Sequence, residues 1–183
     1  MLQSKSLCGV TLQYNIEGDG YPVILMHGWG CNHTTVQSIE RLLSPHFKVY
    51  NLDFPGFGGS SIPPSIWGVE EYTQMLEAFV KDENIEAPIL IGHSFGGRVS
   101  ILYASRNKTH KDILVDAAGI KPKRPLKYYL KVYSFKLWKK VLPLVIGKKQ
   151  AEKTIENYRR KSGSADYNAL TGIMRNIMVK VVN

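Results

Sequence analysis

The chain has 183 residues, two cysteines and a formal net charge of +9, and 44% of its residues are hydrophobic. This length suits one domain, or one domain with an insertion, and the apolar content is ordinary for a protein with a sizeable core. Two cysteines exclude a disulfide framework, the opening residues lack the apolar region of a signal peptide, and no apolar run approaches a membrane span, so we expect a cytoplasmic protein.

The first part of the chain alternates extended and helical patterns. Apolar residues in alternation or in continuous runs predict strands in five segments, 7–17, 21–26, 47–52, 88–91 and 112–116. Apolar residues at helical spacing predict helices at 33–43, 69–80 and 98–104. Strands that alternate with helices of this length form parallel units covered on both faces. We therefore predict an α/β fold with a mostly parallel sheet.

The segment Gly92–Gly97 reads Gly-His-Ser-Phe-Gly-Gly and lies between a predicted strand and a predicted helix. Strand, tight turn and helix is the setting in which Gly-x-Ser-x-Gly forms a nucleophile elbow. In such an elbow the serine has a strained backbone, and Gly92 and Gly96 leave room where Cβ atoms would collide. The turn lifts the Ser94 hydroxyl above the sheet, so Ser94 is the candidate nucleophile.

After Gly119 the pattern becomes entirely helical. Apolar residues recur at spacings of three and four, with lysines between them, at Leu126, Leu130, Tyr133, Leu137 and Val141. We expect Pro143 and Gly147 to break this helix, and further helices at 151–161 and 168–182. Lysine and arginine greatly outnumber acidic residues from 121 to 161. This pattern predicts a basic helical module attached after a strand of the sheet.

The order of the motifs resembles the α/β-hydrolase superfamily, in its lid-bearing serine branch. The motifs are His27–Gly30, Asp53–Ser60 and the elbow Gly92–Gly97, each directly after a predicted strand. Asp116–Gly119 then ends a strand at the point where that family inserts a helical cap. The resemblance implies an α/β-hydrolase core at 1–119 and an incomplete cap at 120–183, with the last strands of the family's sheet absent.

The same resemblance implies roles for individual residues. Ser94 is the nucleophile, and the backbone N–H groups of Phe95 and Trp29 form the oxyanion hole. The substrate lies against Gly28, Trp29 and Phe95. Structural support comes from residues that brace the loops and the elbow, namely His27, Asp53, Gly92, His93, Gly96 and Gly97. Asp116 lies at the catalytic edge of the sheet, where some relatives place the acid.

A serine hydroxyl also needs a base and an orienting carboxylate, which follow the serine in this family's chain order. Only His110 follows Ser94, and it precedes the strand 112–116, so we expect it at the opposite edge of the sheet. We expect His33 and His46 at the surface. We therefore predict that this chain is the N-terminal part of a longer hydrolase, truncated within its cap, and that alone it shows no normal turnover.

Three functions are open at this point. The first is acyl transfer to water through Ser94, on an ester, thioester, lactone or carbon–carbon bond next to a carbonyl. The second is non-catalytic binding of a small ligand in the same pocket, which the missing histidine favours. The third is docking of the lysine-rich segment 126–141 on an anionic membrane, although a solvated lid face is the commoner role for such a pattern. The sequence shows no metal, cofactor or nucleic-acid pattern, and it leaves the substrate and the oligomeric state open.

Overall fold

A computed structural model of the protein describes residues 2–119, 125–162 and 170–182. The chain divides into two compact units, Met1–Ile120 together with Thr171–Asn183, and Lys121–Leu170. The predicted cap segment 120–183 includes 120–124 and 163–169, which lie outside the described residues.

The first unit contains a mixed, mostly parallel sheet. Its strands are β1 Leu2–Leu7, β2 Val10–Glu17, β3 Tyr21–Met26, β4 Phe47–Asp53, β5 Ile89–His93 and β6 Lys111–Val115. They lie in the order β1-β2-β4-β3-β5-β6. β1, β2 and β4 pair antiparallel, whereas β4, β3, β5 and β6 pair in parallel. The predicted α/β fold is confirmed, and the carboxyl ends of the parallel strands meet at one edge of the sheet.

The amino-terminal region is a hairpin rather than the single strand predicted at 7–17. β1 and β2 join through Cys8 and Gly9, whose φ angles of 51° and 77° suit the two-residue turn of a β-hairpin. β1 is largely exposed. Its sequence therefore lacks the apolar alternation that identifies a half-buried strand.

Helices cover both faces of the sheet. After a 3₁₀ turn at His33–Val36 come α1 Gln37–Leu43, α2 Val69–Asp82 and α3 Phe95–Ala104. α1 covers the face that carries Val23 and Val49. Phe79 of α2 contacts Tyr14 and Tyr50 on the other face, with ring centroids 4.9 and 5.8 Å apart. Because successive strand residues alternate between faces, the continuous apolar runs of β3 and β4 are buried on both sides.

A later helix, α6 Gly172–Val182, also belongs to the first unit. Its buried face consists of Met174, Ile177 and Val181. The Lys180 ammonium donates to the Glu71 carboxylate at 2.7 Å, and the Arg98 guanidinium donates to the Val181 carbonyl oxygen at 2.7 Å. The predicted division assigned this helix to the cap. The sequence-based division differs from the compact units at this helix, because helical periodicity shows that one face of a helix is buried but does not show which partner buries it.

The second unit contains a pair of helices in its described part, α4 Leu126–Ile146 and α5 Lys148–Ser162. Phe135 of α4 stacks on Tyr158 of α5 with ring centroids 4.9 Å apart. The expectation that Pro143 breaks α4 is wrong, because the helix continues past it to Ile146. A proline removes one helical hydrogen bond, and here the last turn of the helix tolerates that loss. Within the described ranges, every helix is too short or too polar to cross a bilayer.

Candidate active site

Ser94 occupies the sharp turn between β5 and α3. Its φ and ψ angles are 49° and −106°, and a positive φ is strained for a residue with a Cβ atom. Hydrogen bonds to the neighbouring strand hold this turn. The Ser94 N–H donates to the Val115 carbonyl oxygen at 3.1 Å, and the Ser94 carbonyl oxygen accepts from the Ala118 N–H at 2.9 Å. The strand, turn and helix that the motif predicts are present, and the end of β6 maintains the strain.

Glycines make room for the turn. A Cβ atom on Gly92 would lie 2.7 Å from the Gly96 carbonyl oxygen, and one on Gly96 would lie 2.4 Å from the Met26 carbonyl oxygen. A Cβ atom on Gly97 would lie 2.4 Å from the Cβ atom of Ala117. Non-bonded carbon atoms prefer separations of about 3.5–4.0 Å. A larger residue at Gly92 would therefore push the first turn of α3 away from β5, and one at Gly96 or Gly97 would push it away from β3 or from the segment after β6.

Two backbone amides near Ser94 are suited to bind an oxyanion. Phe95 begins α3, where the first N–H groups have no acceptor within the helix. Trp29 follows Gly28, and a Cβ atom on Gly28 would lie 3.3 Å from the Ser94 Cβ atom and 2.8 Å from Nδ1 of His93. The loop that carries Trp29 therefore passes directly beside the elbow. Among hydrogen bonds between described residues, neither amide donates to a protein acceptor, as the predicted oxyanion role requires.

Aromatic rings line the same region. The Trp29 ring contacts Phe57 and Phe95 edge to face, with centroids 4.9 and 5.5 Å apart. Phe95 also contacts Phe54 and Tyr72. Pairs of this kind fix ring orientations as well as burying apolar area. Within the described part of the chain, the buried Nε1–H of Trp29 has no acceptor. An apolar wall with one unused donor thus adjoins the candidate nucleophile.

His27 braces the loop that carries Trp29. Its Nδ1–H donates to the Gly28 carbonyl oxygen at 2.7 Å, and its Nε2 accepts from the Phe54 N–H at 3.0 Å. Both ring nitrogens are therefore engaged in the neutral tautomer. Burial lowers the pKa of His27 below its usual range, because the charged imidazolium would lose its hydration. The structure thus places His27 as a neutral link between two loops, not as a base for Ser94.

Asp53, the last residue of β4, braces the loop that follows this strand. Its buried carboxylate accepts hydrogen bonds from the backbone N–H of His33 at 2.6 Å and of Gly59 at 2.9 Å. The His33 ring also lies against it, with Nδ1 at 2.9 Å from both carboxylate oxygens. The His33 side chain is 20% exposed, so His33 is half-buried and less exposed than expected. Sequence reasoning missed this pair because His33 begins the 3₁₀ turn after β3 and Asp53 ends β4, and only the alignment of β3 with β4 brings them together.

The chain's histidines are the candidates for a base at Ser94. All of them lie in the described ranges, and none forms a hydrogen bond with the Ser94 hydroxyl. The His110 N–H donates to the Pro88 carbonyl oxygen at 3.1 Å, at the amino end of β6. β6 pairs Val115 with His93 at its other end. Roughly 16 Å of strand, at about 3.3 Å per residue, therefore separate His110 from the elbow.

Asp116 lies at the expected edge of the sheet, directly after β6. It has a φ angle of 43° and is exposed. In the described residues no histidine bonds to its carboxylate, so the structure puts an acid near the elbow without the base that it would orient. The same ranges hold no group of three or more His, Cys, Asp or Glu side chains placed to bind a metal ion.

A strained serine at the carboxyl edge of a mostly parallel sheet defines the class of α/β hydrolases. The sequence comparison agrees with that class, because the model of the alpha/beta hydrolase family matches residues 23–161. The chain belongs to this family.

Each individual relative is matched by this chain over only part of its own length. An uncharacterised protein of Mycobacterium bovis is 31% identical over 121 residues, which are 65% of this chain and 36% of that protein. The pimeloyl-[acyl-carrier protein] methyl ester esterase of Vibrio cholerae is 31% identical over 113 residues, which are 60% of this chain and 41% of that enzyme. The chain thus spans about two fifths of the curated relatives that it matches.

Solved structures share the fold. The esterase EaEST of Exiguobacterium antarcticum superposes with a TM-score of 0.68 at 15% identity, covering 100% of this chain and 74% of that one. At this identity the likeness concerns the fold alone.

Proposed function

We propose that this chain carries the nucleophile and the oxyanion hole of a serine hydrolase that works through an acyl-enzyme. The observation that carries the proposal is the positive φ of Ser94, held at 49° between β5 and α3. A strained backbone persists only where surrounding contacts enforce it, and such strain concentrates at functional sites. The Vibrio cholerae relative is named as a methyl ester esterase, which favours an ester among the possible carbonyl substrates.

The chemistry follows from the geometry of the elbow. The Ser94 Oγ attacks the carbonyl carbon of the ester, and a base takes the hydroxyl proton as the new carbon–oxygen bond forms. The negative charge on the former carbonyl oxygen is then bound by the N–H groups of Phe95 and Trp29. Collapse of the tetrahedral intermediate expels the protonated alcohol and leaves Ser94 acylated, and water then releases the acid. Each preorganised donor of this type contributes about 3–4 kcal/mol to transition-state binding.

We infer that the base is the part that this chain does not bring to Ser94. The two ring nitrogens of His27 are bonded to Gly28 and Phe54, and His110 lies at the other end of β6. Without a base, binding and the oxyanion hole still give about 10³–10⁴-fold acceleration over water in enzymes of this chemistry. We therefore expect slow acylation of Ser94 by an activated ester and no sustained turnover by this chain alone.

The test is incubation of the purified chain with p-nitrophenyl butyrate, followed by intact and peptide mass spectrometry. We expect a butyryl adduct on the peptide that contains Ser94 and p-nitrophenol release that stops at one equivalent per chain. Ser94→Ala should lose the adduct, whereas Ser105→Ala, at an exposed position in the same polypeptide region, should retain it. Rapid, continuing Ser94-dependent hydrolysis would show that a base is present, and absence of any adduct would refute the nucleophile assignment.

A second candidate is non-catalytic binding of a small apolar ligand. The observation that favours it is the aromatic wall formed by Trp29, Phe57 and Phe95, in a site where no described histidine activates the serine. In this case we expect the chain to bind hexanoate, and tryptophan fluorescence would detect that binding. Trp29→Leu should abolish the binding. Incubation with p-nitrophenyl butyrate should leave Ser94 unmodified.

A further inference from the structure

Helix α4 carries a continuous row of exposed apolar side chains. The row, called here the α4 stripe, consists of Leu126, Leu130, Tyr133, Leu137, Val141 and Leu144. These residues are spaced by three and four, so they lie on one face of the helix. Their exposed fractions range from 43% for Val141 to 85% for Leu144. Contiguous exposed apolar surface of this kind marks an interaction site.

The stripe is not the face that α4 uses against α5. That contact involves Phe135 and Trp138, whose rings lie 4.9 and 5.8 Å from the Tyr158 ring. At 100° per residue, Phe135 lies about 140–160° around the helix from Leu130 and Leu137, and Trp138 lies about 80–100° from them. The hairpin of α4 and α5 therefore forms with the stripe left outside its seam.

Positive charge surrounds the stripe. α4 contains five lysines and no acidic residue. Lys136 lies on its flank, with Nζ 5.5 Å from the centre of the Tyr133 ring. Lys140 is three residues after Leu137 and is also exposed. Long lysine side chains beside an apolar row can keep their ammonium groups in a polar layer while the row enters an apolar one.

We propose that the α4 stripe docks on the surface of an anionic lipid bilayer. The leucines and Val141 enter the boundary between headgroups and acyl chains, Tyr133 lies at headgroup level, and the flanking lysines bind lipid phosphates and carboxylates. With five lysines in 21 residues, α4 suits the plane of the interface and not the interior of the membrane.

Other occupants fit the same surface less well. Two copies of the stripe facing each other would bring lysines against lysines without any acid of α4 to pair with them. A nucleic acid would satisfy the lysines but leave the apolar row in water, since phosphate contacts come from basic and polar groups. An anionic bilayer satisfies both the charge and the apolar area. The proposal is independent of the chemistry at Ser94.

The test is flotation of the full chain with vesicles of phosphatidylcholine alone or of phosphatidylcholine mixed with phosphatidylserine, at low and high salt. We expect flotation only with the anionic vesicles, and weaker flotation at high salt because exposed charges are screened within about 10 Å at 0.1 M. Leu130→Glu should lower the ratio of bound to free protein by about tenfold or more, since it removes apolar contact and adds a repelled charge.

Matched variants separate the stripe from general surface effects. Leu42→Glu makes the same change at a leucine of α1 that is 75% exposed, compared with 64% for Leu130, and should float like the unmodified chain. The double variant Lys136→Gln/Lys140→Gln should lose binding about tenfold, whereas Lys81→Gln/Lys108→Gln, at exposed positions of the first unit, should lose little. Circular dichroism establishes that each variant keeps its helices.

Several results would overturn the proposal. They are failure to float, equal flotation with neutral vesicles, and equal losses for Leu130→Glu and Leu42→Glu. Analytical ultracentrifugation adds another, because a dimer that Leu130→Glu converts to a monomer would assign the stripe to a second copy of the chain. Salt-sensitive binding of duplex DNA that survives Leu130→Glu, without vesicle binding, would assign the lysines to nucleic acid.

Discussion

The amide N–H of Gly96 donates a hydrogen bond to the carbonyl oxygen of His27 at 3.2 Å. This bond joins the first turn of α3 to the loop after β3, and each of these segments carries one candidate oxyanion donor, Phe95 and Trp29. The spacing of the two donors is therefore fixed by a direct contact between their own segments. Because Gly96 sits so close to Met26, its lack of a side chain is what permits the contact.

We predict that Gly96→Ala lowers the free energy of unfolding by about 1–3 kcal/mol, the usual cost of overpacking. The added Cβ atom would lie 2.4 Å from the Met26 carbonyl oxygen, which belongs to β3 and cannot move alone. Acylation of Ser94 should also slow, because the two donors move apart. Urea denaturation and the butyrylation assay measure the two effects.

Gly30→Ala is the matched control for this variant. Gly30 has a φ of 74°, but no atom lies within 4 Å of a Cβ atom built on it. Its substitution should cost only the conformational penalty of about 1–2 kcal/mol and leave acylation near that of the unmodified chain. Equal effects of the two substitutions on acylation would contradict the positioning role of Gly96.

We predict that Ser94→Gly stabilises the protein by about 1 kcal/mol while abolishing acylation. The φ of 49° is strained for serine and accessible to glycine. Ser94→Ala removes the same hydroxyl but keeps the Cβ atom, so it should be inactive without the gain in stability. Thermal unfolding of the two variants separates strain from chemistry, and a glycine variant less stable than the alanine variant would show that the elbow stores no strain.

The elbow and the sheet could be predicted because their signals are local. The short segment Gly92–Gly97 contains the end of the strand, the glycines of the turn and the candidate nucleophile. β3, buried on both faces, is a continuous apolar run. The contact between His33 and Asp53 joins a 3₁₀ turn to the end of β4, and no local pattern reports it.

Other features could not be predicted because they depend on contacts outside their own segment of the sequence. β1 is an exposed edge strand that pairs through its backbone, so its side chains carry little apolar signal. Pro143 is a strong local breaker, yet α4 continues to Ile146. The position of α6 in the first unit depends on contacts with Glu71 and Arg98, which are remote in sequence.

We predict that Trp29→Phe leaves both acylation and stability nearly unchanged. The proposed oxyanion donor is the backbone N–H of Trp29, which the substitution retains. The indole N–H that it removes is buried without an acceptor among the described residues, and such a group costs about 1–3 kcal/mol, which offsets the smaller ring. Kinetic mass spectrometry and urea denaturation check the two expectations.

Trp29→Leu provides the contrast. It keeps the backbone amide but removes the edge-to-face contacts with Phe57 and Phe95, each worth about 0.5–1.5 kcal/mol beyond burial. It should be less stable than Trp29→Phe. A large loss of acylation in Trp29→Phe itself would mean that the indole N–H, not the amide, contacts the reacting ester.

We predict that Ile177→Ala lowers the free energy of unfolding by about 2–5 kcal/mol, as expected for a fully buried isoleucine. Ile177 is 0% exposed on the face of α6 that belongs to the first unit. Val179 on the same helix is 43% exposed, and Val179→Ala should change stability by less than about 0.5 kcal/mol. Urea denaturation of both variants tests the assignment, and similar small effects would show that α6 does not form part of this core.

The last prediction concerns pH and His27. Burial lowers the pKa of His27 below 6.5, its value in the unfolded chain, so the unfolded chain binds the proton more readily. Stability from the neutral ring is therefore fully present above about pH 6.5 and is lost as the pH falls below that value toward the lowered folded-state pKa. Protonation of Nε2 would also place a donor against the Phe54 N–H, which now donates to it.

The measurement is urea denaturation from neutral to mildly acidic pH. We expect the free energy of unfolding to fall by at most about 1.4 kcal/mol per pH unit from this residue. His27→Asn should flatten that part of the profile even if it is less stable throughout, because the titrating ring is gone. His46→Asn replaces an exposed histidine and is the matched control. If the slope persists in His27→Asn and disappears in His46→Asn, the buried ring is not the group that couples folding to pH.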